Sequence, residues 1–97
     1  MSELHVVATI PARPESAADI RTVLQTLAEA TRQEEGCLAY DLYESAAAPG
    51  TFVTVERWRG QADLDAHMSS PHLAEAFAPA GNHLAGEVPI HPLVPVE

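Results

Sequence analysis

The chain has 97 residues, of which 46% are hydrophobic and 20% charged, and its formal net charge is −9. This length predicts one domain, residues 1–97, whose small core alone gives modest stability. The acidic charge repels phosphate backbones and anionic lipid, and no apolar run reaches the roughly 20 residues of a membrane span, so we expect neither nucleic acid nor membrane as a partner. A single cysteine and an N-terminus without signal-peptide features predict a cytoplasmic protein.

The first third of the chain has the pattern of a strand followed by a helix. Residues 3–10 are apolar and β-branched up to Pro11, which predicts a strand that is covered on both faces. Over residues 16–35 apolar side chains recur every three or four positions, which predicts an amphipathic helix with a capping box at Ser16. Gly36 then suits the left-handed conformation that ends many helices.

The middle of the chain has the pattern of a β-hairpin. Residues 37–44 and 51–58 read as strands, and the Pro49-Gly50 turn between them favours antiparallel pairing. In the first of these strands Leu38 is expected to share a face with Tyr40, opposite Cys37. The second strand places Phe52, Thr54, Glu56 and Trp58 on one face.

The last third predicts two helices and an extended segment. Residues 61–68 form a short helix that carries His67, and Ser70-Pro71 begins the next helix. Residues 87–97 contain prolines at every third position, so they form an edge strand or an arm on a neighbouring subunit.

This β-α-β-β-α-β order predicts an α+β, ferredoxin-like fold, with a four-stranded antiparallel sheet and helices on one face. The other face of the sheet is rich in apolar residues and would be bare in a single chain. Such a face is a common site of association between identical chains. We therefore expect a homodimer.

The stretch from Glu35 to Phe77 resembles the antibiotic biosynthesis monooxygenase (ABM) domain family, which includes small quinol monooxygenases. The resemblance extends over nearly the whole chain and implies a dimeric α/β-barrel assembly, often with an exchanged C-terminal strand, and a pocket between sheet and helices. Members include cofactor-independent oxygenases of quinols or anthrone-like polyketides, haem-degrading enzymes, and enzymes that process a small bacterial signal molecule. The matching residues are Glu35-Gly36-Cys37, Tyr40, Pro49-Gly50, Phe52, Glu56-Arg57-Trp58, His67 and Ser70-Pro71-His72.

The haem-degrading branch of the family has a tryptophan on the short helix and an iron-ligating histidine on the helix that follows. The matching positions in this sequence are His67 and Phe77. Because phenylalanine cannot ligate iron, we do not expect haem degradation.

The resemblance therefore implies an oxygenase that acts on an aromatic quinol, phenol or anthrone-like polyketide with molecular oxygen and no cofactor. His67 is the predicted catalytic base, because a neutral imidazole accepts a proton near pH 7, and Glu56 is predicted to support it. The predicted substrate-binding residues are Trp58, Tyr40, Phe52, Phe77, His5 and His72.

Alternatives remain for these residues and for the function. The aromatic residues could be core, His67 could simply hydrogen-bond Glu56 or the backbone, and Glu56 could anchor its strand. Five histidines do not give three convergent ligands by spacing, and no glycine-rich nucleotide loop is present, so neither metal nor flavin is predicted. The alternative functions are an isomerase or degrading enzyme for a small polar signal molecule, favoured by a histidine-rich cavity, and a non-catalytic ligand-binding dimer.

Overall fold

Four strands and three α-helices form the fold in the computed structural model, which describes residues 3–97. The first two residues of the predicted domain 1–97 lie outside that range. Single 3₁₀ turns occur at Pro14–Ser16 and Gly81–His83. The main elements are β1 (Leu4–Pro11), α1 (Ala17–Arg32), β2 (Cys37–Glu44), β3 (Thr51–Trp58), α2 (Gln61–Met68), α3 (Pro71–Ala80) and β4 (Ile90–Leu93).

The strands form one antiparallel sheet in the order β2-β3-β1-β4. This is the predicted ferredoxin-like arrangement, with all three helices on the same face. Among residues 3–97, no helix has both the length and the apolarity that crossing a bilayer requires.

One face of the sheet is buried beneath the helices. Strand alternation places Val6, Ala8 and Ile10 of β1 on this face, and α1 packs against it through a buried apolar stripe. The other face of β1, including Val7, is only half buried. β1 was predicted to be covered on both faces, but the chain itself covers only one of them. The buried face of β3 carries Phe52, Thr54, Glu56 and Trp58, which the sequence predicted to share one face.

Both predicted ends of α1 need correction. The Ser16 side chain does not cap the helix; its Oγ is hydrogen-bonded with Nδ1 of His83 at 2.7 Å. Gly36 is not left-handed, since Gly50, at φ 90°, is the one positive-φ residue between residues 3 and 97. A glycine is needed at position 36 because a Cβ there would collide with the side chain of Asp63 in α2.

A β-bulge at the start of β2 changes the predicted facing of its side chains. Cys37 pairs with Trp58 and Ala39 with Arg57, so Leu38 is an extra residue in the strand. Leu38 is consequently 42% exposed, whereas Cys37 packs against the buried cluster around Trp58. The predicted opposite facing of Cys37 and Tyr40 is therefore wrong, since both lie toward the helices.

The C-terminal segment forms the predicted edge strand, with β4 paired only to β1. The backbone N–H of Thr9 donates to the carbonyl of Pro89 at 3.1 Å, so residues 89 and 91 direct their backbone polar groups at β1. Pro92, one residue further, has its nitrogen on the outer edge. A proline is tolerated there because that position makes no ladder bond.

Candidate functional site

A cavity of about 490 Å³ lies between the sheet, the two short helices α2 and α3, and the segment that leads into β4. This volume is in the range of small-molecule sites in proteins. Polar groups of its wall come from Tyr40, Thr54, Glu56, His67, Ser69 and Ser70. The rest of the wall is apolar and consists of Ala8, Ile10, Leu64, Met68, Leu73, Ala74, Phe77, Val88 and Ile90.

Glu56 is buried in the wall of this cavity and is held by its own strand. The hydroxyl of Thr54 donates to Oε2 at 2.6 Å, and the indole N–H of Trp58 donates to Oε1 at 2.9 Å. The i±2 spacing of a strand explains both bonds, because these three side chains lie on one face. Each carboxylate oxygen retains a lone pair that can accept a hydrogen bond from a ligand.

The predicted support of His67 by Glu56 is not seen, because the carboxylate at His67 is that of Glu34. Nδ1 of His67 lies 2.6 Å from Oε2 of Glu34, which follows α1 in the chain. Since an ionised carboxylate only accepts hydrogen bonds, Nδ1 carries the proton, and the lone pair of the neutral ring is at Nε2.

The Nε2 atom of His67 is available to a molecule in the cavity. Among residues 3–97 no side chain or backbone group hydrogen-bonds it, although the residue as a whole is 3% exposed. In that range Thr31 Oγ1 is the one fully buried side-chain nitrogen or oxygen that has no hydrogen-bond partner. The Nε2 atom of His67 has no partner either, so it is not fully buried. The cavity wall therefore contains an imidazole nitrogen that has no hydrogen-bond partner in the described chain.

Two aromatic rings hold the His67 ring in place. The centroid of the Trp58 ring is 4.8 Å from that of His67, with 38° between the ring planes. The Tyr40 centroid is 5.9 Å away, at 58°. Because Glu34 fixes Nδ1 at the same time, the ring has little freedom to rotate.

His72 of α3 makes a second contact with the same carboxylate. Its Nε2 lies 2.7 Å from Oε2 of Glu34, and its side chain is 27% exposed outside the cavity. One ligand atom each from Glu34, His67 and His72 lies within 4.8 Å of the others. The sequence analysis looked for three convergent ligands among the histidines by spacing, and it had no means of placing Glu34 beside two histidines more than 30 positions away.

The predicted substrate-binding residues divide into three groups. Tyr40 and Phe77 line the cavity. Phe52 and Trp58 are buried in the core and do not line it, because they pack beneath α1 and α2. His72 lies outside the cavity on Glu34, and His5 is exposed on the opposite face of the sheet, where strand alternation places it.

Burial changes the ionisation of two groups near the site. Burial, and then the charge of Glu56, raise the pKa of Tyr40 well above its usual value, so its phenol stays protonated and can donate. Burial and the charge of Glu34 raise the pKa of the Cys37 thiol. Cys37 therefore lacks the thiolate character of a nucleophile.

The family model described as "Antibiotic biosynthesis monooxygenase" matches residues 4–79. A Mycobacterium tuberculosis protein named "Putative monooxygenase Rv0793" is 38% identical over 96 residues, which span 99% of this chain and 94% of that protein. Its solved structure superposes with a TM-score of 0.89, covering 99% of this chain and 97% of that one.

Two further relatives extend the similarity to other bacteria. "Putative monooxygenase YcnE" of Bacillus subtilis is 32% identical over 77 residues, 79% of this chain and 80% of that protein. The crystal structure of PA3566 from Pseudomonas aeruginosa superposes with a TM-score of 0.90 at 30% identity, over 100% of this chain and 97% of that one. A family match over most of the chain, with relatives of this identity and coverage, places the sequence: the chain belongs to the antibiotic biosynthesis monooxygenase family.

Proposed function

We propose that this protein is a cofactor-independent monooxygenase that oxidises an aromatic quinol, phenol or anthrone-like polyketide with molecular oxygen. The observation that carries the proposal is the apolar cavity of about 490 Å³ with the unbonded Nε2 of His67 in its wall. The cavity contains one histidine and a mostly apolar wall, which suits a flat aromatic molecule better than a small polar signal molecule. The family supplies the reaction class.

In this proposal, Nε2 of His67 accepts the proton of a substrate hydroxyl or an acidic ring C–H. The imidazolium that forms is stabilised by the Glu34 carboxylate at Nδ1, so Glu34 is a positioning residue. The substrate anion is then electron-rich enough to pass electrons to oxygen. One oxygen atom becomes bonded to substrate carbon, and the other leaves as water. The two electrons and two protons of that water come from the substrate, so the product has gained one oxygen atom and lost two hydrogen atoms.

Three further wall groups have roles in the same proposal. The free lone pairs of Glu56 accept a hydrogen bond from a second substrate hydroxyl, and the neutral phenol of Tyr40 donates to the developing oxyanion. Phe77 gives an aromatic surface for the ring of the substrate. The apolar remainder of the wall keeps water from the anion.

We also propose that the working form is a homodimer in the cytoplasm. The sheet face opposite the helices exposes large apolar side chains, among them Tyr43, Val55 and Leu93. A second copy of the chain on this face would bury them. A chain with a single cysteine suits a reducing compartment.

The test is oxygen uptake by chelator-treated protein with a panel of hydroquinones, dihydroxynaphthalenes and anthrones, with product masses recorded. We expect saturable uptake above autoxidation and products that have gained one oxygen atom. His67→Asn should lower kcat by about 10²–10⁴-fold, the usual contribution of a general base. His83→Asn, outside the cavity wall, is the matched control.

Two results would contradict this proposal. Full turnover by His67→Asn on an active substrate would remove the base assignment. Tight binding of panel compounds that are recovered unchanged would point to a ligand-binding protein instead.

A further inference from the structure

We propose that Glu34, His67 and His72 form a binding site for one divalent transition-metal ion, Zn²⁺ above all, on the outer side of the cavity wall. A second part of the inference, which rests on the proposed function, is that the bound ion turns off His67 as a base. No such ion is part of the proposed reaction, so the site would be regulatory.

The first argument is convergence. The three side chains come from three separate segments: the turn after α1, α2 and α3. Oε2 of Glu34 is 2.6 Å from Nδ1 of His67 and 2.7 Å from Nε2 of His72, and the three ligand atoms lie within 4.8 Å of one another. Two imidazoles on one carboxylate oxygen place three metal-ligating atoms around one point.

The second argument is the chemistry of the ligands. Two imidazole nitrogens and one carboxylate oxygen suit Zn²⁺ and neighbouring transition ions, whereas Mg²⁺ and Ca²⁺ prefer oxygen ligands alone. Zinc bonds of about 2.0–2.1 Å in a tetrahedron separate ligand atoms by roughly 3.3 Å. The carboxylate oxygen must therefore move away from each nitrogen by well under 1 Å, and the two nitrogens, which lie within 4.8 Å of each other, must approach to roughly 3.3 Å. Glu34 can do so because it lies in a turn and is 17% exposed.

The third argument is preorganisation and access. Trp58 and Tyr40 already fix the His67 ring, so little order is lost when an ion binds. The part-exposed His72 gives the ion a route from solvent and leaves room for a water as fourth ligand. The net charge of −9 draws cations toward the protein.

The functional consequence follows from the tautomer. A metal ion at Nδ1 takes the lone pair of that nitrogen, so the neutral ring must carry its proton on Nε2. Nε2 then faces the cavity as a donor and cannot accept a proton from substrate. The ion would thus lower kcat without entering the cavity.

The binding test uses the whole, metal-stripped protein and needs no activity. Titration with Zn²⁺ followed by calorimetry, and with Co²⁺ followed by visible absorption, should give one ion per chain and the bands of a low-coordinate site. Glu34→Gln and His72→Asn should each weaken Zn²⁺ binding more than the loss of a residue outside the ligand set does, which typically costs about 10–100-fold in affinity. Glu35→Gln, the neighbouring exposed carboxylate, is the matched control and should bind as the unmodified chain does.

The inhibition test compares oxygen uptake with and without Zn²⁺, each chain being its own reference. Zn²⁺ should lower kcat of the unmodified chain and of Glu35→Gln, and it should leave kcat of His72→Asn unchanged.

Three outcomes would contradict the inference or part of it. If no Co²⁺ bands appear, or if all four chains bind Zn²⁺ with equal affinity, the three side chains are only hydrogen-bonded to one another. Zinc that binds with one ion per chain but leaves oxygen uptake unchanged would overturn the regulatory part. If no substrate is turned over, the titrations still decide the site.

Discussion

Tyr40 has a hydroxyl group in the wall of an otherwise apolar cavity, and this gives the protein a particular response to alkaline pH. Burial, and then the charge of Glu56, raise the pKa of the folded-state phenol above the ordinary value of about 10. The unfolded chain therefore releases this proton first as pH rises. The contribution of Tyr40 to the free energy of unfolding is unchanged below about pH 10 and falls above it, with a slope that approaches about 1.4 kcal/mol per pH unit.

We expect Tyr40→Phe to flatten this alkaline loss of stability. Urea unfolding between about pH 8 and pH 11 measures it, with Tyr43→Phe, which removes an exposed phenol, as the control. The raised pKa of Cys37 adds a similar loss at lower pH, so Cys37 is kept in all three chains. Equal slopes in the three chains would show that Tyr40 ionises in the folded state as it does in the unfolded one.

At the scale of single residues, the sequence predicted those features that depend only on neighbouring residues of the same helix or strand. The facing of Glu56 and Trp58 follows from strand alternation, and both lie on the buried face. The partner of His67 was missed because Glu34 and His67 are 33 positions apart and no spacing rule connects them. His5 was misplaced because its strand is apolar on both faces, so pattern alone could not say which face meets the cavity.

The connection from α1 to β2 is packed against the first turn of α2, and Gly36 is what permits this approach. A Cβ at position 36 would meet the side chain of Asp63, which also holds Arg59 through two hydrogen bonds. We expect Gly36→Ala to push α2 outward and to lower the free energy of unfolding by about 1–3 kcal/mol, as overpacking does.

Gly81→Ala is the matched control for that prediction. Gly81 has helical dihedral angles and open space around its Cβ position, so alanine there should be neutral or stabilising by about 0.4–1 kcal/mol. Urea or thermal unfolding of both variants decides the matter. Unchanged stability of Gly36→Ala would mean that Asp63 moves aside without cost.

At the scale of elements, the order and type of the segments could be predicted, but some local details could not. Ser16 has the residue type of a helix cap, but tertiary contact with His83 takes its hydroxyl instead. The bulge at Leu38 depends on pairing between two strands, which neither strand sequence reveals alone. Propensity sets what a segment can be, and packing decides which of its hydrogen bonds form.

The whole molecule has one sheet face beneath helices and one without cover. Val7 and Val55 are cross-strand neighbours on the uncovered face, and Val55 is 44% exposed at its centre. We expect light scattering at micromolar concentration to give the mass of two chains, and Val55→Lys, which buries a charge in the proposed interface, to give the mass of one.

Thr22→Lys, on the exposed side of α1, is the control for this prediction and should leave the dimer mass unchanged. A single-chain mass for the unmodified protein would contradict the homodimer.

At the scale of the whole molecule, the sequence predicted the fold because the pattern of each segment indicated one type of element and the order of those elements is that of the ferredoxin-like fold. That a second chain covers the other face was inferred only from the apolar composition of that face, because the presence of a partner adds no separate periodic pattern to the sequence.

The position of Pro92 in β4 bears on how the protein behaves at high concentration. An edge strand normally offers a row of free N–H groups that can recruit strands of other molecules into a growing sheet. At the middle of the outer edge of β4 this donor is missing, because Pro92 occupies the outward position opposite Val6. Incoming strands would find no continuous ladder there, so this edge is poorly suited to seed amyloid-like aggregation.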